Sequence, residues 1–413
     1  MKLNMAADST LPNENLEFEP VPGVRLGVAA AGIKYPNRND LAVIEVGPGA
    51  SGAGVFTRNA FCAAPVQLAR KHLDSAAPRY LLMNSGNANA GTGERGRGDA
   101  EACCAALAEA GGCDPQQVLP FSTGVIGEPL PLDRLVAGLP AAVADLSEDG
   151  WERAARAIMT TDTQPKLVSR SFDVAGYTAR VTGIAKGAGM ICPNMATMLA
   201  FLATDLAVPR PILQEILRLA VEPSFNSISV DGDTSTNDSC VLLAAAAPGA
   251  PLVTAGAEPI ARALAEAVNA VCLELATAIV RDGEGATKLV RVEVTGAADG
   301  AEARQVAYTI AHSPLVKTAL FAADPNWGRI LAAVGRAGVA NLDVERVAIW
   351  LDQVPIVEQG ARASSYQEQD GQAVMSQAEF SIRVDLGRGP AAARILTCDL
   401  SFDYVRINAE YRT

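Results

Sequence analysis

The stretch KGAGMICPNMATMLAF, residues 186–201, is the most unusual in the chain, and the fold turns on how it is read. Lys186 leads a loop in which Gly187 and Gly189 let backbone approach a ligand closely. Pro193 and Asn194 turn the chain, and Thr197 opens the apolar run 198–203, which reads as a buried strand. Thr197 itself has two readings. A β-branched residue at the start of a buried strand is an ordinary structural choice. A threonine freed at its own N-terminus instead carries its own base, the α-amino group, an arrangement that replaces a Ser–His pair. The second reading gains weight because only two histidines, His72 and His312, are available as bases anywhere in the chain.

Working outward, 413 residues suit two or three domains or one large duplicated α/β unit. Apolar residues make up 49% and charged residues 19%, a composition that supports a packed core and not disorder. Lys plus Arg number 34 against 46 Asp plus Glu, and a net charge of −12 argues against nucleic acid as a partner. No apolar run approaches the length of a membrane span, and residues 241–253 are broken by Pro248, Gly249 and Pro251. The first 20 residues lack an apolar signal core, so a cytoplasmic chain is expected. Eight cysteines without a Cys-x-x-Cys pair read as reduced, mostly buried thiols, and neither histidine has a metal-ligand spacing.

Residues 1–20 read as a flexible arm. Strands are expected at 41–46, 80–83, within 171–184, and at 290–295, 347–351, 380–384 and 394–402. Helices are expected at 99–110, stopped by Gly111-Gly112, and at 132–143, 151–159, 210–220 and 258–280. Residues 367–372 read as a polar loop or hairpin tip. This mixture fits α/β or α+β layering. Gly91, Gly93 and Gly96 satisfy the dinucleotide-binding spacing, but residues 84–90 separate them from the strand, so a mobile glycine loop is the better reading. The three asparagines of NSGNANAG, residues 84–91, suit a compact turn or the rim of a small-molecule site. In FSTGVIGEP, residues 121–129, the Thr123 hydroxyl and the Gly124 amide can aim two donors at one point, as an oxyanion hole requires. Taken alone, that dipeptide also suits an ordinary loop.

Beyond these local readings, GVAAAGIKYPNRNDLAVIE, GVFTRNAFCAAPV, NSGNANAGTG, STGVIGEPLP, MTTDTQPK, KGAGMICPNMATMLAF, SISVDGDTSTND, DGEGATKL, LVKTALFAADPNWGRI and the terminal NAEYRT occur in this order along nearly the whole chain. Together they resemble the arginine-biosynthesis glutamate/ornithine N-acetyltransferase family. Gly91 stands where the family carries a cysteine, and Ala323 departs from its usual small residue; neither touches the inferred chemistry.

The resemblance implies a self-processing acyltransferase fold of stacked helix and sheet layers with a smaller C-terminal lobe. It implies cleavage between Ala196 and Thr197, giving an α chain, residues 21–196 behind the arm, and a β chain, residues 197–413. Thr197 Oγ would then attack the acetyl carbonyl of N-acetylornithine, with its new α-amine, which titrates near about 7.7–8.0, taking the proton. Thr123 and Gly124 match the family's oxyanion pair. Ornithine leaves, glutamate enters, and the acetyl group passes to it in a ping-pong exchange. Substrate contacts carried over are Thr160, Lys186, Thr197, Glu284, Asn408 and Thr413, with Lys186 suited to a carboxylate and Glu284 to an ammonium group. Thr161 is an alternative to Thr160. Two α and two β chains are expected to assemble, with no metal or cofactor; acetyl-CoA as a further acetyl donor is left open. The rival within the same chemistry is a self-processing aminopeptidase or amidase of related fold, in which water takes the acyl group. A noncatalytic metabolite-binding protein, with Thr197 merely structural, is the rival from another class.

Overall fold

The computed structural model describes residues 16–192 and 198–411. Ala196, Thr197 and Thr413, three of the expected site and cleavage residues, lie outside the described residues, as do residues 1–15 of the expected arm. The remainder of that arm is fixed: the Glu19 carbonyl accepts the Thr182 hydroxyl at 2.6 Å, and Leu16 and Phe18 pack on the core.

The chain divides into two compact units. The first takes the described residues up to Lys186, then Met198–Ala220 and Thr236–Leu275. It holds a four-stranded sheet, Val24–Ala29, Leu41–Val46, Tyr80–Asn87 and Val118–Val125 in that order, the last pair parallel and the others antiparallel. It also holds a five-stranded sheet ordered Ser51–Phe56, Ser239–Ala244, Leu199–Thr204, Tyr177–Lys186 and Lys166–Val174.

Side-chain alternation sets the layers. Leu81, Met83, Leu119 and Phe121 point from the first sheet into a core shared with Ile184, Phe201, Ala203, Val241 and Leu243 of the second. Phe121 and Phe201 meet edge to face there, with centroids 5.0 Å apart. The alternate residues, Leu41, Val43, Tyr80, Leu82 and Val118, face a separate core under the helices Gly93–Gly111 and Leu132–Ala144. On the opposite side, Gly183 lies against Val271 and Leu275 of the helix Pro259–Arg281. The result is a helix–sheet–sheet–helix sandwich, so both sheets are covered on both faces and their strands read as nearly continuous apolar runs.

The helix Pro259–Arg281 is, by length and composition, long and apolar enough to cross a membrane, although polar residues interrupt its apolar sequence. Its buried residues, Leu264, Val268, Val271, Leu275 and Ile279, recur at helical spacing as a core stripe, matching the amphipathic helix expected at 258–280.

The second, smaller unit takes residues 187–192, Val221–Ser235 and the described residues from Ala276 onward. Its seven-stranded sheet runs Ala361–Arg362, Val354–Glu358, Ala348–Leu351, Glu379–Asp385, Leu289–Ala297, Ala391–Cys398 and Ile228–Ser229. The helices Gly300–Ala311, Pro314–Phe321, Trp327–Gly335 and Glu368–Met375 contribute to its core.

Three local expectations are corrected. The polar segment 367–372 enters the helix Glu368–Met375, whose buried Gly371, Val374 and Met375 make a narrow inward stripe beneath an otherwise polar surface. The strand expected at 394–402 ends at Cys398, because Ser401 caps the helix Phe402–Glu410 by accepting from the Tyr404 amide. Of the glycines expected to form a mobile loop, Gly93 and Gly96 instead lie in the first turns of the helix Gly93–Gly111, and Gly91 precedes its cap Thr92.

Candidate active site

In the first unit the parallel strands Tyr80–Asn87 and Val118–Val125 lose register at their ends, where Asn87 pairs with both Thr123 and Val125. Gly86 and Gly124, opposite one another at this bulge, have φ of +100° and +136°. A Cβ on Gly124 would stand 2.3 Å from the Gly86 carbonyl carbon, so only glycine fits. The register shift lies directly beside Thr123 and Gly124, so the ladder is irregular where the expected oxyanion donors sit.

Thr123 is partly exposed, and its Oγ1 accepts from Lys186 Nζ at 3.2 Å. Lys186 ends the strand Tyr177–Lys186 and pairs with Leu199, the first residue of the neighbouring strand. Lys186 as a residue is only 9% exposed, and water screens a charge weakly at a buried position. The structure therefore brings Thr123, Gly124 and Lys186 together, and Leu199 follows Thr197 by two positions in sequence.

Buried amides hold this corner. Asn237 Nδ2 donates to the carbonyls of Ala88 and Ser122, at 2.6 and 2.9 Å, bracing the residue before Thr123. Ser122 Oγ donates to Asn84 Oδ1 at 2.6 Å, and Asn84 Nδ2 donates to the Asn87 carbonyl at 2.9 Å. Asn84 and Asn87 thus lie within the strand Tyr80–Asn87 and not in a compact turn, and their side chains brace the strand end. Asn237 lies in SISVDGDTSTND, residues 227–238, a motif that carries the resemblance, but its bracing role comes from a contact 115 residues away.

Thr160 lies in the loop after the helix Trp151–Ala157. Its amide donates to Asp162 Oδ2 at 3.0 Å, and Asp162 is locked to Lys166 by a fully buried ion pair of 2.7 Å. The helix is tied to the corner where Ser85, paired with Thr123, donates its hydroxyl to the Ala157 carbonyl at 2.8 Å. Thr160 and Thr161 are equally half-buried, so exposure does not choose between them.

In the second unit Asn408 Nδ2 donates to Glu284 Oε2 at 2.7 Å. Glu284 is 8% exposed, and its amide donates to the Ala188 carbonyl at 2.8 Å. Gly189 lies directly against the carboxylate: a Cβ there would come within 2.4 Å of Glu284 Cδ. A carboxylate offers about four lone-pair positions, so Asn408 leaves acceptor capacity for a cation. Glu284 and Asn408, each expected separately as a substrate contact, are thus hydrogen-bonded to one another. None of the eight cysteines is in a disulfide, and among the described residues no cluster of His, Cys, Asp and Glu is arranged to hold a metal.

Comparison with known proteins bears on this arrangement. The ArgJ family model matches residues 25–413. The arginine biosynthesis bifunctional protein ArgJ of Methylococcus capsulatus is 62% identical over 95% of this chain and 96% of its own length. The protein of the same name from Pseudomonas fluorescens is 57% identical over 96% of this chain and 98% of its own. A crystal structure of the arginine biosynthesis bifunctional protein from Bacillus halodurans is 41% identical, covering 52% of this chain and 99% of that one with a TM-score of 0.49. On a family match over nearly the whole length and relatives of this identity, the chain belongs to the ArgJ family of arginine-biosynthesis acetyltransferases.

Proposed function

We propose that the chain cuts itself before Thr197 and then moves an acetyl group from N-acetylornithine to glutamate through an acetyl-Thr197 ester. The observation that carries the reading is the corner of Thr123, Gly124 and Lys186, beside the strand that Thr197 precedes. Lysine has only donors, so the Thr123 hydroxyl oxygen accepts from it and the hydroxyl hydrogen is left for another acceptor. With the Gly124 amide it supplies two donors to a carbonyl oxygen as that oxygen gains charge.

Thr197 Oγ bonds to the acetyl carbon while the carbon–nitrogen bond to ornithine breaks. The α-amine of Thr197 takes the hydroxyl proton and passes it to the departing ornithine nitrogen. Glutamate then enters, its amine bonds to the acetyl carbon, and the ester bond to Oγ breaks. Glu284, held by Asn408, receives the side-chain ammonium of ornithine, while Thr160, Lys186 and Thr413 serve the remaining polar groups. These steps use no metal and no prosthetic group.

The relatives are named bifunctional, and this supports acetyl-CoA as a second acetyl donor. The active unit is read as two α and two β chains working in the cytoplasm, a compartment that suits eight cysteines outside any disulfide.

The test is an assay of purified protein with N-acetylornithine and glutamate. Ornithine and N-acetylglutamate should appear in equal amounts, and without glutamate one acetyl group should remain on the β chain. Ornithine release unaffected by glutamate would favour the amidase. Acetyl-CoA with glutamate alone should also yield N-acetylglutamate, and native mass measurement should give two copies of each chain.

A further inference from the structure

The loop leading to the proposed cleavage site is gripped by a carboxylate that acetyl transfer does not use. Asp231 Oδ2 accepts from the Met190 amide at 2.6 Å, and Oδ1 accepts from the Ile191 amide at 2.8 Å. The same strip binds the loop twice more: the Val230 amide donates to the Ile191 carbonyl at 2.7 Å, and the Thr234 hydroxyl to the Cys192 carbonyl at 3.1 Å. Tyr404 OH donates to Asp231 Oδ2 at 3.3 Å from the far side, and Cys192 Sγ lies 3.3 Å from His312 Nε2. Residues 190–192 are thereby fixed through both backbone and side chain.

The grip also enforces an uncommon conformation. Met190 has φ of +55°, a region that a long side chain occupies only when its surroundings over-determine it. The residue is 41% exposed, so burial does not account for its conformation. Two charge-assisted bonds from consecutive amides to one carboxylate are what hold it.

We infer that Asp231 is a positioning residue for self-cleavage, setting the direction in which the chain leaves Cys192 toward the bond between Ala196 and Thr197. The inference rests on the reading of Thr197 as a self-freed nucleophile. In that step Thr197 Oγ bonds to the Ala196 carbonyl carbon, the carbon–nitrogen bond breaks, and the nitrogen takes the hydroxyl proton to become the free amine. Water then hydrolyses the ester, leaving a carboxylate on Ala196 and restoring the hydroxyl. A hydroxyl attacking the carbonyl of its own preceding residue closes a five-membered ring, which few backbone conformations permit, so the approach of the upstream chain limits the rate. Once the bond is cut, acetyl transfer no longer depends on that approach.

Asp231→Asn keeps the size of the side chain but presents an NH2 group to one of the two amides. The experiment follows the purified full-length variant by denaturing gel and intact mass, and measures acetyl transfer per newly exposed Thr197 amine. Cleavage should slow by about tenfold to 10²-fold, while kcat per cleaved chain stays within about twofold. Cleavage at the wild-type rate overturns the inference, as does an equal fall in cleavage and in kcat per cleaved chain, which would mark a general support. Should Asp231→Asn fail to fold, Asp231→Glu displaces the same carboxylate, and wild-type cleavage in that variant overturns the inference equally. The wild-type control separates the two claims, because an intact wild-type chain overturns the self-cleavage reading itself.

Discussion

Lys186 Nζ donates to Thr123 Oγ1 at 3.2 Å, joining two residues 63 positions apart at the ends of strands in different sheets. The contact couples the cation expected to bind substrate with the hydroxyl expected to stabilise the oxyanion, so the two should not behave independently. Thr123→Ala should lower kcat about 10²–10³-fold with little change in KM, because the donor matters once the carbonyl oxygen carries charge. Lys186→Ala should lower kcat/KM through the loss of a charge-assisted bond worth roughly 1.5–3 kcal/mol. The double variant should fall short of the product of the two defects, and steady-state kinetics of all four proteins measures the coupling. Strict additivity would uncouple the pair.

Thr197→Ala should yield one uncut chain with no acetyltransferase activity, since cleavage and transfer need the same hydroxyl. Two fragments from that variant at the wild-type rate would remove Thr197 as the nucleophile.

Gly189→Ala should act on one substrate more than on the other. The added methyl group would meet Glu284 Cδ at 2.4 Å and push the carboxylate aside, costing about 1–3 kcal/mol of overpacking. N-acetylornithine carries the side-chain ammonium that Glu284 is placed to receive, and glutamate does not. KM for N-acetylornithine should rise about tenfold and that for glutamate much less. Equal rises would take the ammonium contact away from Glu284.

Stability should fall on mild acidification through His312. Burial lowers its pKa below the ordinary 6.5, and the Lys317 ammonium adds to the effect while the Asp231 carboxylate opposes it. The unfolded chain therefore takes up a proton at a pH where the folded chain does not, so stability is full above 6.5 and declines as pH falls toward the folded value. The measured Tm should drop between about pH 7.5 and about pH 5.5, and the drop should be smaller in His312→Gln. An equal drop in both proteins would assign the acid sensitivity to other groups.

Periodic segments were legible in the sequence because local spacing fixes which face is buried. The amphipathic helix Pro259–Arg281 and the strand Leu289–Ala297 lie within a few residues of their expected bounds. The segments misread, Glu368–Met375 and Phe402–Glu410, have polar or exposed surfaces on which a short apolar stripe or a capping serine is easily overlooked.

By itself the sequence determined the family and the layered α/β class and singled out Thr123, Gly124, Lys186 and Glu284 as candidates, since ordered motifs and hydrophobic period are properties of the chain alone. Tertiary structure alone decided which of these residues meet. Lys186 reaches Thr123 because two sheets stack through Phe121 and Phe201, and Glu284 meets Asn408 because a helix Ser401 caps presents Tyr404 and Asn408 one turn apart. Asp231 and Asn237 lie in the quoted motif SISVDGDTSTND, but their bracing roles were not legible there, since a buried amide or carboxylate gains its role from partners that folding brings from distant parts of the chain.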